Sequence, residues 1–321
     1  MKVSIIVPIY NVEKYIKECV MSVFRQGLCE EDFEIILIND GTEDNSLGEI
    51  EDICIRHKNI IIVNQNNQGL SCARNTGLLY SKGDYVIFLD SDDLLADRSV
   101  APLLELAFAS DVDLLVADFM KLSDDEILKY KGEVNDFLCS NLKSGPQLYM
   151  DDFNPSESYV WRTIYKRNFL MQNELRFIPG VFFEDIPFTP ECYLKARVCL
   201  RVNSVLYLYR IGNSSITSNM DKKKAMDINV AIERLWKLKA MKGLSKRVRR
   251  RLSDNLFSNF SFALWCVSHN DNVYMYRQEI VKDLKTRVPD LWFGNSLKQI
   301  VVSILFRLIP NSYLRMRSIR V

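Results

Sequence analysis

Three aspartates stand close together at the end of an apolar run early in the chain. Asp90, Asp92 and Asp93 follow residues 85–89, Tyr-Val-Ile-Phe-Leu, which are typical of a buried strand. Ionised carboxylates at the tip of such a strand repel one another and lose hydration unless a cation lies between them. Because all the ligands are oxygens, the cation we expect is a hard divalent ion, Mn²⁺ or Mg²⁺. Such an ion keeps positions open for phosphate oxygens, so the pattern indicates a substrate that carries phosphate.

Strands and helices alternate along the part of the chain that must position these aspartates. Short apolar segments predict strands at residues 3–7, 34–38, 60–63 and 85–89. Helical spacing of apolar residues predicts helices at residues 12–25, 46–56 and 70–81. We expect Asn11 to be the N-cap of the first helix. Such alternation predicts an α/β fold, a mostly parallel sheet with helices on both faces. Ligands bind such sheets at the carboxyl ends of the strands, so Asp40, residues 69–74 and residues 90–93 should meet at one edge.

Composition describes an ordinary globular protein. The 321 residues include 48% hydrophobic and 26% charged side chains, which excludes a disordered chain. Eight cysteines without a CxxC pair predict buried thiols in a reducing compartment, in preference to disulfides or a metal site. Pro8 interrupts the apolar start after seven residues, so we interpret that segment as a strand and not as a signal peptide.

Charge is distributed unevenly along the chain. Residues 1–100 carry net −8 and residues 101–221 net −5, whereas residues 222–321 carry 21 basic and 7 acidic side chains, net +14. Apolar spacing predicts helices at 222–242, 245–268 and 271–287 in this basic part of the chain. Before it, apolar segments predict further strands at 112–117 and 204–209. An acidic front and a basic back favour cation-assisted chemistry in front and an anionic partner behind.

The last segment combines an apolar stretch with basic residues. Residues 297–309 are apolar but too short to cross a bilayer, and residues 291–321 contain no acid. The basic residues of this segment are Lys298, Arg307, Arg315, Arg317 and Arg320. The pattern favours a helix that lies on an anionic membrane surface; the alternative is a buried C-terminal helix with solvated charges. We expect no nucleic-acid partner, because no nucleic-acid motif accompanies the charge.

Four sequence blocks of the first 95 residues together resemble the family 2 glycosyltransferases of the GT-A fold. They are Ser-Ile-Ile-Val-Pro-Ile-Tyr-Asn at 4–11, Asn-Asp-Gly-Thr-Glu-Asp at 39–44, Asn-Gln-Gly-Leu-Ser-Cys-Ala-Arg-Asn at 67–75 and Phe-Leu-Asp-Ser-Asp-Asp at 88–93. Weaker blocks at 160–167 and 183–185 extend the resemblance to about residue 215. It implies a Rossmann-like GT-A catalytic domain at 1–215, followed by a helical C-terminal extension at 222–321. It also implies an inverting sugar transfer from a nucleotide diphosphate sugar, usually a UDP-sugar.

The resemblance implies roles for the residues on the donor side. Asp40 would accept a hydrogen bond from the base, although Asn39 replaces the first of the family's two aspartates; the alternative is a solvated turn aspartate. Arg74 would contact the nucleotide near a helix N-terminus, or else be a surface arginine. The other nucleotide-binding candidates are Pro8, Tyr10, Asp90, Asp92 and Arg210, the last beside the weak block 213–215. Asp92 and Asp93 are the metal candidates, and the division of roles among the three aspartates stays open.

The resemblance implies that Asp185 is the general base. The family places this carboxylate in a Glu-Asp pair at the head of a helix, which Glu184 and Asp185 match. A positioned carboxylate can take the proton of an attacking hydroxyl group. The alternative is a helix start, and both roles are compatible. Trp161 is either a platform for a sugar face or a core residue.

These features together predict a metal-dependent inverting glycosyltransferase of surface polysaccharide synthesis. The expected acceptor is a saccharide, lipid-linked in our interpretation, and the expected location is cytoplasmic, peripheral at the inner face of the cell membrane. One alternative is transfer to a polyprenyl phosphate. Another is a non-catalytic nucleotide-sugar-binding scaffold at a membrane, which would be expected to lack the acidic cluster or the Glu-Asp pair.

Overall fold

The computed structural model describes residues 1–130, 139–155, 157–212 and 220–310, which divide into two compact units. The first unit consists of Met1–Leu148, Tyr159–Gly180 and Cys192–Asn213. The second consists of Tyr149–Ser158, Val181–Glu191 and Ser214–Val321. The second unit thus includes residues 181–191, which the sequence analysis assigned to the catalytic domain. The domain boundaries at 215 and 222 stay a prediction.

Within the described residues, eight strands form one sheet in the first unit. They are β1 (Val3–Ile9), β2 (Phe33–Asn39), β3 (Ile60–Asn64), β4 (Tyr85–Phe88), β5 (Leu94–Leu95), β6 (Leu114–Leu122), β7 (Thr163–Lys166) and β8 (Cys199–Arg210). The strand order is β3-β2-β1-β4-β7-β6-β8-β5. The pairs of β1 with β2 and β4, of β2 with β3 and of β6 with β8 are parallel, while β7 and β5 run antiparallel to their neighbours. The predicted α/β fold with a mostly parallel sheet is confirmed.

The described helices lie between the strands and after them. They are α1 (Ile16–Phe24), α2 (Glu51–Arg56), α3 (Leu70–Tyr80), α4 (Val100–Ala109), α5 (Asp124–Ile127), α6 (Gly145–Asp151), α7 (Arg167–Gln172), α8 (Asp185–Lys195), α9 (Lys222–Lys239), α10 (Lys246–His269), α11 (Asp271–Tyr274), α12 (Arg277–Arg287) and α13 (Leu297–Leu308). Short 3₁₀ turns occupy Glu30–Asp32, Gly48–Ile50 and Val160–Arg162.

The start of α1 differs from the prediction. The helix begins at Ile16 with Tyr15 as N-cap, so the assignment of Asn11 as N-cap was wrong. Asn11 adopts a left-handed backbone conformation with φ +53°, which asparagine tolerates better than most residues. Its side-chain oxygen accepts the backbone N–H of Glu43, and its own N–H donates to Thr42 Oγ1. Asn11 therefore joins the loop after β1 to the loop after β2.

The central strands and α3 form the core that carries the site. All residues of β1 and β4 are buried, as expected for parallel strands covered on both faces. Gly77 permits a close approach of α3 to β1, because a Cβ atom there would lie 2.3 Å from Cγ2 of Ile6. This contact fixes α3, whose second turn begins at Arg74, against the middle of the sheet.

The second unit contains helices α9, α10, α11, α12 and α13, which confirms the predicted helical C-terminal region. The side chains of Asp221, Ser245 and Ser296 cap α9, α10 and α13 by accepting backbone N–H groups. Among the described residues, no helix has both the length and the apolar character needed to span a membrane.

Candidate active site

The loop after β4, residues 89–93, carries the three aspartates and is called the aspartate loop below. Strand β8 holds this loop in place through Asp93. The buried Asp93 carboxylate accepts the Tyr207 hydroxyl at 2.7 Å and the backbone N–H of Arg210 at 2.7 Å. Burial raises the pKa of Asp93 well above its usual range, and the charges of Asp92 and Asp90 raise it further. These hydrogen bonds fix the Asp93 carboxylate where β8 ends.

Asp92 and Asp90 have different surroundings in the same loop. Oδ1 of Asp90 lies 2.5 Å from Nη2 of Arg74, so its charge has a fixed counterion. In the described part of the chain, the Asp92 carboxylate forms no ion pair and no hydrogen bond to another residue's side chain, and its hydrogen-bond partner is its own backbone N–H. Burial raises the pKa of Asp92, and the neighbouring charge of Asp90 adds to the rise. Of the three, Asp92 is the carboxylate best placed to gain from a bound cation.

The metal prediction agrees with these oxygen donors but not with a complete protein cage. Among residues 1–130, 139–155, 157–212 and 220–310, no three His, Cys, Asp or Glu side chains form a group that could hold a metal ion. Mg²⁺-type ions commonly bind through one or two carboxylates together with substrate phosphates. Asp92, with Asp93 beside it, fits that mode, in which the substrate completes the coordination.

Arg74 is the fifth residue of α3, at the start of its second turn, and is only 2% exposed, which excludes a surface arginine. Besides its pair with Asp90, its guanidinium lies 5.4 Å from the centre of the Phe177 ring. The neighbouring Asn75 exchanges two hydrogen bonds with the backbone of Phe177, at 2.9 and 3.0 Å. Arg74 is thus a buried cation between the start of α3 and the aspartate loop.

Asp40 follows β2 and braces the loop that leads into α3. Its Oδ1 accepts Nε2 of Gln65 at 2.7 Å and the N–H of Gln68 at 2.9 Å, and its Oδ2 accepts the N–H of Gly69 at 2.8 Å. At 3% exposure it is not a solvated turn residue. Gly69 needs its freedom of conformation here, because its φ is +86°. The contact of Asp40 with a base stays a prediction, and Oδ2 keeps room for a second donor.

The loops after β1 and β2 are tied together beside Asp40. Pro8 is buried within β1, whereas Tyr10 just after it is 45% exposed. Asp44, to which the sequence analysis assigned no role, accepts hydrogen bonds from Ser46, from the N–H of Glu13 and from Thr42. Burial alone would raise the pKa of Asp44, but these hydrogen bonds outweigh it and lower the pKa to about 2.

Arg210 lies at the end of β8 and is bound on every side by protein. Its Nε donates to the carbonyl oxygen of Asp92 at 2.8 Å, Nη2 pairs with Glu18 at 2.8 Å, and Nη1 pairs with Asp124. Its guanidinium also lies 4.9 Å from the centre of the Tyr15 ring. Arg210 therefore joins the aspartate loop to α1 and α5, and a phosphate contact for it stays a prediction. The adjacent block at 213–215 lies outside the described residues.

Trp161 is a core residue in this structure. It is buried between Tyr207, at a ring distance of 4.1 Å, and Tyr159, at 4.5 Å, in nearly parallel stacks.

Sequence reasoning did not identify Tyr207, since an alternating aromatic residue in a strand carries no local sign that its hydroxyl reaches an aspartate.

Asp185 is the first residue of α8 and belongs to the second unit, whereas the donor-side candidates belong to the first. Glu184 before it is buried, and Phe183 has φ +61°, a conformation that aromatic residues rarely adopt. The N–H of Ile186 donates to the carbonyl oxygen of Phe183 at 3.2 Å, which closes the turn around Asp185. The structure thus brings Asp40, Arg74 and the three aspartates to one sheet edge and carries Asp185 on a separate element.

Comparison with known proteins identifies similar chains. A family model described as Glycosyl transferase family 2 matches residues 4–173. EpsJ of Bacillus subtilis, an uncharacterized glycosyltransferase, is 37% identical over 70% of this chain and 65% of its own length. GlyA, a glycosyltransferase of Streptococcus pneumoniae, is 28% identical over 86% of this chain. The chain spans only 37% of the length of GlyA.

Two solved structures share the fold. Residues 1–349 of S. aureus TarS, crystallised in complex with UDP, align with a TM-score of 0.73 and 20% identity. The alignment covers 99% of this chain and 88% of that one. The mannosyltransferase PcManGT from Pyrobaculum calidifontis, in complex with GDP-Man and Mn²⁺, aligns with a TM-score of 0.55 and 12% identity, over 97% of this chain and 88% of that one.

Proposed function

The chain belongs to glycosyltransferase family 2, and from this premise we propose that it transfers a sugar from a UDP-sugar to a hydroxyl group of a saccharide acceptor. The observation that carries the proposal is the meeting of Asp40, Arg74 and the aspartate loop at the carboxyl edge of parallel strands. A buried cation beside carboxylates at a helix N-terminus suits a diphosphate. The complex of TarS with UDP supports a uridine nucleotide.

The donor side would divide its work among four residues. Asp40 would accept N–H of the uracil ring, and Arg74 would contact the diphosphate. Asp92, with Asp93, would hold Mn²⁺ or Mg²⁺, and the Mn²⁺ complex of PcManGT supports such an ion. When bound, the ion would neutralise negative charge on the departing nucleotide.

The transfer itself would be a single displacement with inversion. Asp185 would take the proton of the acceptor hydroxyl group as the hydroxyl oxygen attacks the anomeric carbon of the donor sugar. A new glycosidic C–O bond forms and the bond from the sugar to the diphosphate breaks. The electron pair of that bond leaves with UDP, and the proton stays on Asp185 until solvent removes it.

We further propose that the acceptor is lipid-linked and that the enzyme works at the inner membrane face in surface polysaccharide synthesis. The support is α13, whose uncharged polar residues Gln299 and Ser303 face the protein. Its buried side chains are Gln299, Val302, Ser303 and Phe306. Its exposed apolar side chains are Leu297, Val301, Ile304 and Leu308. Exposed apolar stripes of this kind mark interaction surfaces.

Charge complementarity supports an anionic lipid surface as the proposed partner of this stripe. At 3.6 residues per turn, the exposed Lys298 and Arg307 fall on opposite sides of the stripe. The part of the chain that contains α13 carries net +14. Arg315, Arg317 and Arg320, which the sequence analysis included, lie outside the described residues.

Vesicle co-sedimentation tests the membrane proposal. The double variant Val301→Asp with Ile304→Asp should lose binding to phosphatidylglycerol vesicles at low salt. Ile55→Asp, an exposed apolar position in the first unit, should keep it. Point substitutions are preferable to removal of α13, because Phe306 packs on Phe260 at a ring distance of 4.8 Å. Equal binding of all three proteins would show that the stripe does not contact lipid.

The two alternatives predict other outcomes in one transfer assay. Purified protein, a panel of UDP-sugars and Mn²⁺ are incubated with saccharide acceptors or with polyprenyl phosphate, and UDP release is measured. Our proposal expects UDP release that rises with a saccharide acceptor. Release that rises only with polyprenyl phosphate would favour that reaction, while UDP-sugar binding without any release would favour a scaffold.

A further inference from the structure

The segment that carries the candidate base is built into the C-terminal helices. Residues 181–191 form part of the second unit together with α9 and the helices that follow it. Asp185 itself lies in the middle of that segment, at the start of α8. What holds the segment in place therefore also determines where the Asp185 carboxylate lies.

The first tie joins α9 to the backbone just before the base. Oδ2 of the buried Asp227 accepts the backbone N–H of Phe182 at 3.0 Å. The same oxygen pairs with Nζ of Lys223 at 2.6 Å, one helical turn earlier. Lys223 and Lys224 also lie 4.9 and 5.4 Å from the centre of the Phe182 ring. Asp227 thus holds residue 182, three positions before Asp185.

The second tie joins α9 to the helix after the base. Arg234 donates from Nε and Nη2 to both carboxylate oxygens of Glu191, at 2.8 to 3.2 Å. Glu191 is buried, and such two-point pairs fix orientation as well as distance. The hydroxyl of Thr189, which lies between Asp185 and Glu191 in α8, donates to the carbonyl oxygen of Ser158 at 2.6 Å. The first two turns of α8 are therefore held on α9 and on residue 158.

The backbone between the two ties is in an unfavourable conformation. Phe183 has φ +61°, and its ring meets Phe262 of α10 edge-on at 5.8 Å. An aromatic residue in this region persists only where its surroundings fix it. The strained residue lies between the Asp227 tie and Asp185, so loss of the tie should let the turn relax and move the carboxylate.

We propose that Asp227 and Arg234 are positioning residues for the transfer reaction, acting through Asp185. This inference rests on the proposed role of Asp185 as general base. It assigns α9, which lies in the predicted C-terminal extension, a part in the chemical step and not only in folding. Neither residue needs to touch a substrate.

Substitutions at Asp227 test the proposal on the full chain. Asp227→Ala removes the acceptor for the Phe182 N–H, and Asp227→Asn keeps one. We expect Asp227→Ala to lower kcat by about 10- to 100-fold, because a misplacement of ~1 Å in a reacting group can cost about 10²-fold. The Kd for UDP should change by less than about twofold, and Asp227→Asn should restore most of kcat.

A control on the same helix separates positioning from general stability. Glu233 of α9 pairs with Lys237 and Arg287, away from residues 181–191. Glu233→Ala should lower the melting temperature without lowering kcat. Should Asp227→Ala fail to fold, Arg234→Gln and Arg234→Lys replace the Asp227 pair, with the loss expected for Gln and partial rescue for Lys. Unchanged kcat in the folded variants would overturn the proposal.

A double-mutant cycle shows whether the effect passes through the base. In the Asp185→Asn background, Asp227→Ala should cause little further loss of kcat, since the group that it positions has gone. Losses that multiply independently would overturn the proposal while leaving the base in place. Full activity of Asp185→Asn alone would overturn both the base and the inference, so the two failures are distinguishable.

Discussion

Two regions of the molecule are stabilised in different ways. One is the sheet edge of the first unit that carries Asp40, Arg74 and the aspartate loop, called the donor edge below, and the other is the 181–191 segment of the second unit. At the donor edge, the partners of Asp40, Asp90 and Asp93 lie in the loop before α3, in α3 and in β8, all within the first unit. In the 181–191 segment, the partners of Phe182 and Glu191 come from α9, 45 and 43 residues further along the chain. The difference teaches that, in the proposed function, nucleotide binding and proton transfer would depend on separate sets of contacts. Each set should therefore be breakable without the other.

The largest separable effect is expected at Asp185, the proposed base. Asp185→Asn keeps the side-chain shape and removes the proton acceptor, so kcat for transfer should fall by about 10²–10⁴-fold. UDP affinity, measured by calorimetry, should stay within about twofold of wild type. Asp271→Asn is the matched control, because Asp271 likewise lies in the first turn of a helix of the second unit. An equal activity loss in both variants would show that Asp185 acts only by stabilising the start of its helix and not as the base.

A smaller effect is expected at Tyr207, where substitution should lower stability and UDP affinity. Tyr207→Phe leaves a buried oxygen of Asp93 without its donor, which should lower the free energy of unfolding by about 1–3 kcal/mol. Since Asp93 lies in the aspartate loop, UDP affinity should fall several-fold as well. Tyr85→Phe is the control, because among the described residues the Tyr85 hydroxyl has only backbone carbonyl oxygens of the same unit as acceptors, at 2.8 and 3.2 Å. It should lose stability and keep UDP affinity, and an equal UDP affinity in both variants would argue against β8 as the support of the loop.

The smallest effect is a pH dependence at Asp44. Its folded pKa of about 2 lies below the ordinary value of 3.8, so its carboxylate stabilises the fold above about pH 4. That stabilisation is lost as the pH falls towards 2. Discounted for its partial exposure, we expect about 1 kcal/mol.

Thermal unfolding of Asp44→Asn and wild type should therefore differ at pH 7, and the difference should shrink below about pH 4 and vanish only below about pH 2. Asp52→Asn, at the start of α2, is the control and should differ little at either pH. A gap between Asp44→Asn and wild type that stays constant over the whole range would mean that the hydrogen bonds to Asp44 do not stabilise the folded state through its charge.

The donor edge was predictable from sequence because topology alone determines it. Parallel strands bring the residues after each strand to one edge, so Asp40, Arg74 and Asp90 were placed together without any knowledge of side-chain contacts. The resemblance to family 2 supplied their expected roles. The helix periodicity of the C-terminal part was equally readable, apart from a break at Met275 and Tyr276.

Contacts between residues distant in the sequence were not predictable. The Asn11 prediction failed because its side chain binds the loop after β2, which no local pattern reveals. Tyr207 and Asp227 look like an ordinary strand aromatic and an ordinary helix-surface acid. Their importance comes from Asp93 and Phe182, more than 40 residues away in each case. The sequence pattern of α13 predicted its apolar character but not that Gln299 and Ser303 would face inward.

Calorimetric titration of UDP into the full chain, with Mn²⁺ and then with chelator, tests the central claim most directly. The claim is that the edge formed by Asp40, Arg74 and the aspartate loop binds a uridine diphosphate together with a cation. We expect saturable binding with Mn²⁺ and an affinity lower by about tenfold or more in chelator, equivalent to about 1.4 kcal/mol. Absence of UDP binding in the presence of Mn²⁺ would contradict the claim.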